Sequence, residues 1–175
     1  METPLLRTKL YIPPTRPKWV ARPRLIEQVD AGLQAGHKLT LISAPAGFGK
    51  TSLVSAWINA RGLLAAWLAL DASDNDGSRF LSYLYAALHM AYPDFDTQGL
   101  PIPASLRSDE TASLAIAILN SAVLLPSKVV LVLDDYHVIE NEAIHSLLRY
   151  LVERLKIAED RVVYAGDSGN GSGGR

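Results

Sequence analysis

Two short runs in this sequence hold residue types whose spacing can do chemistry: Ala44-Pro45-Ala46-Gly47-Phe48-Gly49-Lys50-Thr51, and the pair Asp134-Asp135 that closes the apolar run from Lys128 to Leu133. A loop that binds phosphate needs small residues, so that its backbone N–H groups can converge on the oxygens, and it must open a helix whose N-terminus favours negative charge. Gly47 and Gly49 meet the steric demand. Lys50 is placed to reach the β- and γ-phosphates and the Thr51 hydroxyl to ligate Mg²⁺, in the pattern G-x-x-x-x-G-K-[ST]. Ala44 stands where the strict pattern has glycine, and Ser52 adds a second hydroxyl in the first helical turn. The competing description is a glycine-rich turn with a solvated lysine.

Mg²⁺ prefers oxygen ligands and keeps several waters, so such a site adds one carboxylate at a strand end to the loop hydroxyl. Asp134 fits that place. Asp135, one residue on, is a candidate to orient a water or act as base at the γ-phosphate. A strand-end Asp pair also serves as a helix cap or turn. His137, just beyond, is a candidate γ-phosphate sensor or a hydrogen-bonding residue of the turn, and Arg22 and Arg24 are either part of the nucleotide pocket or a solvated basic arm.

The elements around these runs must position them. A helix is expected from Pro23, with Leu25, Val29 and Leu33 on one face. Lys38 to Ser43 predicts a strand, followed by the glycine-rich turn and a helix carrying Leu53, Val54, Trp57 and Ile58. A second strand is expected over Ala65 to Leu70, then a helix capped by Ser78 with Phe80, Leu81, Leu84 and Leu88. Leu114, Ile118 and Leu119 suggest a further helix that stops before Pro126. Lys128 to Leu133, apolar on both faces, reads as a strand covered on each side. Asn141 to Lys156 predicts an amphipathic helix and Arg161 to Tyr164 a fourth strand. Strands alternating with helices predict an α/β, three-layer P-loop NTPase fold with a parallel sheet, cut short after the fourth strand. A candidate strand between Lys50 and Asp134 points to the ASCE branch of that class, in which an extra strand separates the two motif strands, and favours ATP over GTP. The expected organisation is an extended basic lead-in over 1–22, the P-loop NTPase domain over 23–165 and a flexible Gly/Ser-rich tail over 166–175.

Composition narrows the function. Nearly half of the 175 residues are hydrophobic and a fifth are charged, the balance of a globular domain. The formal net charge of -1 argues against direct nucleic-acid contact by this segment. There is no cysteine, hence no disulfide or thiolate metal site. No long apolar run and no secretory signal are visible, so no membrane partner and a cytoplasmic location are expected. Asp71 to Gly77 has a calcium-loop flavour, but with Gly77 as the turn glycine the first and last ligand positions fall on Ala72 and Tyr83. His37, His89 and His145 form no metal set, and Trp57 and Trp67 are expected in the core.

Taken together, the residues resemble the N-terminal ATPase module, NB-ARC/NACHT-like, of the large LuxR-type transcriptional regulators related to the maltose-regulon activator, within the signal-transduction ATPases with numerous domains (STAND). The resemblance runs from about Leu6 to Lys156. It is carried by Thr8-Lys9-Leu10, Val20-Ala21-Arg22-Pro23-Arg24-Leu25, the glycine-rich run, Trp67-Leu68-Ala69-Leu70-Asp71, Asp74-Asn75-Asp76, Arg79-Phe80-Leu81-Ser82-Tyr83-Leu84 and Leu133-Asp134-Asp135-Tyr136-His137. It implies that Arg22 and Arg24 belong to the nucleotide pocket, that the ligands are ATP or ADP with Mg²⁺, and that the full-length protein is a switch driven by a small-molecule inducer and self-association. It also implies an arginine after the fourth strand, where this chain reads Tyr164-Ala165-Gly166-Asp167. The expectation is an ATP/Mg-binding regulatory domain, a piece of a longer protein, with slow hydrolysis at most. The alternatives are a P-loop kinase with its own acceptor, for which no arginine-rich lid is visible, and a degenerate interaction scaffold, against which Gly49, Lys50 and Thr51 stand.

Overall fold

Among the described residues, four short strands pair in parallel in the order β1-β4-β3-β2, and helices cover both faces of the sheet. The strands are β1 (Leu39–Ala44), β2 (Ala65–Ala69), β3 (Val130–Asp134) and β4 (Arg161–Asp167). The helices are α1 (Pro23–Gln34), α2 (Lys50–Arg61), α3 (Gly77–Ala91) and α4 (Glu142–Arg154), with residues 113–114, 116–118 and 120–121 also helical. This computed structural model describes residues 5–15, 20–93, 95, 113–114, 116–118, 120–121, 130–154 and 161–167. The expected stop before Pro126 and the tail beyond Asp167 lie outside them.

Alternation along the two best-buried strands builds the layers. Ala65 and Trp67 of β2, with Val130 and Val132 of β3, pack beneath Val29 of α1 and Val54, Trp57 and Ile58 of α2. Ala66, Leu68, Leu131 and Leu133 face the other way, onto Phe80, Leu81, Leu84 and Leu88 of α3, Ile144, Leu147, Leu148 and Leu151 of α4, and Leu114 and Ile118. Successive strand residues point to opposite faces, so a strand apolar throughout must be covered twice. Trp57 and Trp67 are both core residues, as expected. β1 is an edge strand, and Leu39 and Leu41 are exposed on it.

Several boundaries differ from the sequence reading. β1 extends to Ala44 because its ladder with β4 continues to Ala44 opposite Asp167, and β4 itself runs three residues past Tyr164. The N-cap of α3 is Asp76, whose carboxylate accepts from Arg79 N at 2.8 Å, and not Ser78, whose hydroxyl donates to that same carboxylate. An aspartate two residues upstream wins because its oxygen reaches the third free amide of the helix. Asn141 caps α4, accepting from Ala143 N at 2.9 Å. The strand lying between the two motif strands is β4, from beyond them in sequence, whereas β2 lies at the far edge.

The N-terminal lead-in is built into this fold. Arg7–Leu10 forms one 3₁₀ turn, Leu10 enters the α3–α4 face of the core, and Lys9 is buried. The Lys9 ammonium lies 2.6 Å from Asp71 and 2.5 Å from Asp74, and Arg79 Nε reaches Asp74 from the other side at 3.1 Å. Both cations stand over the Tyr83 ring, at 4.9 and 5.2 Å from its centroid. A second ion pair, Arg61 with Asp30, has its arginine at the surface, where solvent screens it, whereas removing one partner of a buried pair costs about 3–5 kcal/mol. Lys9–Asp74 is therefore the pair that matters for stability.

Burial opposes the Lys9 charge, but hydrogen bonds to Asp71 and Asp74 hold its pKa above the usual lysine value. Lys9 in turn, with Ser73, lowers Asp71 from 3.8 to about 2. An acid with a depressed folded-state pKa adds stability that is present above its unfolded value and lost as pH falls through the folded one. Lys9→Ala is expected to lower unfolding stability at pH 7 by about 3 kcal/mol, since Arg79 still answers Asp74. Its denaturation profile should also lose much of the wild-type fall between pH 3.8 and about 2. Urea unfolding across that range, with both profiles parallel, would contradict the assignment.

Candidate functional site

The turn between β1 and α2 is made by two left-handed glycines. Gly47 has φ +81° and Gly49 φ +78°, and a side chain at either would meet open space, so backbone conformation and not crowding demands glycine in this structure. Gly49 precedes the first turn of α2 and its carbonyl accepts from Leu53 N at 2.9 Å. The amides of that first turn have no partner within the helix and carry the positive end of its dipole.

Lys50 opens α2 and curls back over the turn. Its Nζ donates to Ala44 O at 2.9 Å and Pro45 O at 3.2 Å, and the residue is buried. Thr51, next along, presents Oγ1 to both oxygens of Asp134, at 3.0 and 2.9 Å. The parallel register places the ends of β1, β3 and β4 on one edge, so the turn after β1 and the acid that ends β3 meet across β4. Open α/β sheets bind ligands at this carboxyl edge.

Asp134 is buried, and that burial raises its pKa above 3.8. The Thr51 hydrogen bond and the Lys50 charge oppose the shift, and the Asp135 charge adds to it. Asp135 is half-buried and left-handed, at φ 56° and ψ 32°, which turns the chain sharply after β3. Its own amide donates to Asp134 Oδ1 at 3.2 Å. His137 follows in a 3₁₀ turn, Tyr136–Val138, exposed, with its backbone and Cβ set closely against Gly166 of β4.

Arg22 is brought to the turn from the start of α1, Nη1 donating to Phe48 O at 3.0 Å. Arg24 is exposed on the first turn of α1 and does not line the adjoining cavity. Ala46 and Phe48 are exposed in the turn and Ser52 is half-buried on α2. A cavity of about 360 Å³ adjoins the turn, bounded by Gly49 and Lys50, by Thr40 and Ile42 of β1, and by Arg22, Leu25 and Gln28 at α1. Gln28 and Thr40 carry no sequence signal, since only the docking of α1 beside β1 makes them neighbours.

The acidic run from Asp71, set aside as a calcium loop, has an internal task. Asp71 accepts from Ser73 N while Asp74 accepts from Asp71 N, so the 3₁₀ turn Ala72–Asn75 closes on itself in a capping box. His145 pairs with the Tyr136 hydroxyl and His89 Nδ1 lies 2.9 Å from Phe95 O. Among the described residues no group of three or more metal-ligating side chains occurs, and no helix is long and apolar enough to cross a membrane.

The fold and site thus define a mixed α/β domain, a small parallel sheet flanked by helices, with a glycine turn, a lysine, a hydroxyl and a buried acid gathered at one sheet edge. No protein-family profile matches the chain. It is similar to the HTH-type transcriptional regulator MalT of Yersinia pestis (strain Pestoides F), 32% identical over 148 residues, which cover 85% of this chain and 16% of that protein. The MalT of Serratia proteamaculans (strain 568) is 35% identical over 151 residues, with the same shares. The chain is thus homologous to one portion of MalT-like transcriptional regulators, and the match spans about a sixth of their length.

A raised carboxylate pKa means the folded state binds the proton more tightly, so Asp134 ionisation removes stability as pH rises through the folded value. Asn keeps an acceptor for Thr51 Oγ1 without the buried charge. Asp134→Asn is therefore expected to melt at or above the wild-type temperature at pH 7 without ligand, the gap closing toward pH 4. Thermal unfolding checks this, and a clear loss of stability at pH 7 would contradict it.

Proposed function

We infer that this chain is a P-loop NTPase domain that binds ATP or ADP with Mg²⁺ and serves as the regulatory nucleotide-binding part of a transcriptional regulator. One observation carries the reading: Lys50 Nζ, Thr51 Oγ1 and the buried Asp134 converge where the glycine turn opens α2. In this reading Ala44 to Thr51 wraps the phosphates, Lys50 exchanges its hold on the Ala44 and Pro45 carbonyls for phosphate oxygens, and Arg22 steadies the turn through Phe48. The nucleoside takes the cavity between α1 and β1, whose volume falls in the range of small-molecule sites and whose lining mixes apolar walls with Gln28, Thr40 and Arg22.

The residues suit Mg²⁺. A hard cation needs oxygen donors and leaves room for water, and Thr51 Oγ1 beside a desolvated carboxylate offers that donor set. Thr51 and Asp134 would hold the ion, which when bound supplies neutralisation of phosphate charge. Asp135 is the residue for water orientation, and His137 lies beyond it on the same turn.

Turnover is expected to be slow. Charge developing on the transferred phosphoryl group is answered by cations, and a supplied arginine is worth about 10³–10⁵ in rate. β4 ends in Gly166 and Asp167, so the arginine implied at the end of that strand has no counterpart. Similarity to MalT supports placing the domain in a regulator, where an inducer and self-association act on the whole protein and this segment makes no DNA contact of its own.

Calorimetric titration of ATP, with and without Mg²⁺, into wild type and Lys50→Ala tests the proposal. The expected result is saturable binding by wild type, tightened by Mg²⁺, and a loss of at least ~100-fold in Lys50→Ala, the scale of a few charge-assisted hydrogen bonds. Equal affinities would refute the role of Lys50. Phosphate release that is unchanged by an added acceptor would separate this reading from a kinase.

A further inference from the structure

We propose that Asn75 is a positioning residue for the Asp134–Asp135 pair, fixing the path of the chain on the far side of the left-handed turn at Asp135. The inference rests on the nucleotide-binding reading for its functional consequence and on hydrogen-bond geometry for its mechanism. Asn75 ends the 3₁₀ turn after β2, and its amide uses both of its ends on a segment more than sixty residues away. Oδ1 accepts from Glu140 N at 2.6 Å and Asn141 N at 3.0 Å, while Nδ2 donates to Val138 O at 2.9 Å and Ala72 O at 3.1 Å. Asn141 answers by donating through Nδ2 to Asn75 O at 2.7 Å.

Only a primary amide can do this from one short side chain, because two backbone donors and two backbone carbonyls must be met at once. An aspartate would keep the acceptor and set a second oxygen against the Val138 and Ala72 carbonyls. The node is itself anchored, since its neighbour Asp74 is fully buried between Lys9 and Arg79.

The far side of the tethered segment is closed as well. Gly166 packs so tightly on His137 that an added Cβ would lie 3.3 Å from its amide nitrogen and 3.4 Å from its Cβ. The chain from Asp135 to Asn141 is thus held between the turn after β2 and the end of β4. With β3 fixed in the sheet before it and Asn75 holding 138–141 after it, the turn at Asp135 has little freedom. An isolated αL turn at a non-glycine residue costs energy and persists only where its surroundings impose it. Asn75 supplies one of those impositions without touching the acids themselves.

The test compares wild type, Asn75→Ala and the isosteric Asn75→Asp in the full chain. In nucleotide-free protein, hydrogen exchange over 138–141 should speed up by at least ~10-fold in Asn75→Ala, the scale set by losing a pair of hydrogen bonds, with 130–133 unchanged. In the same variant the factor by which Mg²⁺ tightens ATP binding should fall ~10-fold while Mg²⁺-free affinity stays within about 2-fold, because the glycine turn and Lys50 are untouched. Asn75→Asp should speed exchange over 138–141 too, and it carries the test if Asn75→Ala fails to melt cooperatively.

Unchanged exchange over 138–141 would overturn the proposal, as would a parallel fall of both affinities, which marks general loosening. If wild type binds no ATP, the nucleotide reading falls by itself, and exchange alone then supports or overturns the placement of the segment.

Discussion

Desolvation of carboxylates governs both halves of this domain. Asp74 and Asp134 are both buried, and the fold answers them in opposite ways. Asp74 sits between a lysine and an arginine, so its charge is neutralised inside the protein. Asp134 receives hydrogen bonds from a threonine hydroxyl and an adjacent amide, and burial lifts its pKa. Taking a carboxylate out of water carries a penalty of several kcal/mol that such neutral donors repay only in part. One acid is structural and satisfied, while the other keeps a demand for positive charge at the carboxyl edge of the sheet, the edge at which open α/β sheets in general bind ligands.

The satisfied acid organises more than its neighbourhood. Lys9 comes from the lead-in, Asp71 and Asp74 from the turn after β2, and Arg79 and Tyr83 from α3, so one charge cluster centred on the buried Asp74 joins three segments. Asn75, the next residue, carries that rigidity to the chain beyond Asp135. Arg22, where the lead-in enters α1, bonds to Phe48 in the glycine turn. The lead-in therefore touches the supports of both halves of the site.

Much of this was readable from sequence where the signal is local. The glycine turn falls between a strand and a helix at the residues expected, and the apolar stripes of α2, α3 and α4 are the ones that pack. Periodicity and the special backbone needs of Gly47 and Gly49 are properties of a few consecutive residues. Strand ends are not legible in this way because partners set them: β1 and β4 extend each other to Ala44 and Asp167. Nothing in the spacing of Lys9 and Asp74 announces an ion pair: the ligand positions argue against a calcium loop at the acidic run, but they do not reveal the lysine that pairs with it. A strand between the two motif strands is expected and found, but which strand takes that place is not legible locally: β4, which follows both in sequence, lies between β1 and β3, and β2 lies beyond β3.

On the proposed reading, the same geometry argues for a domain that holds nucleotide more than it consumes it. Among the described residues, the cations at the proposed phosphate site are Lys50, buried and fixed at the turn, and Arg22, exposed and bonded to a backbone carbonyl. β4, which runs between the two motif strands, carries at its penultimate position a glycine packed on His137, so no side chain enters at Gly166. A site so arranged stabilises a bound triphosphate without supplying the extra charge that a phosphoryl-transfer transition state demands. A ligand that is held acts through its different affinity for two conformations and shifts their populations by that difference. The segment from Asp135 to Asn141 then becomes the part to watch: it meets the acid at one end and the helix α4 at the other, and any movement demanded by the γ-phosphate must pass through bonds that Asn75 holds.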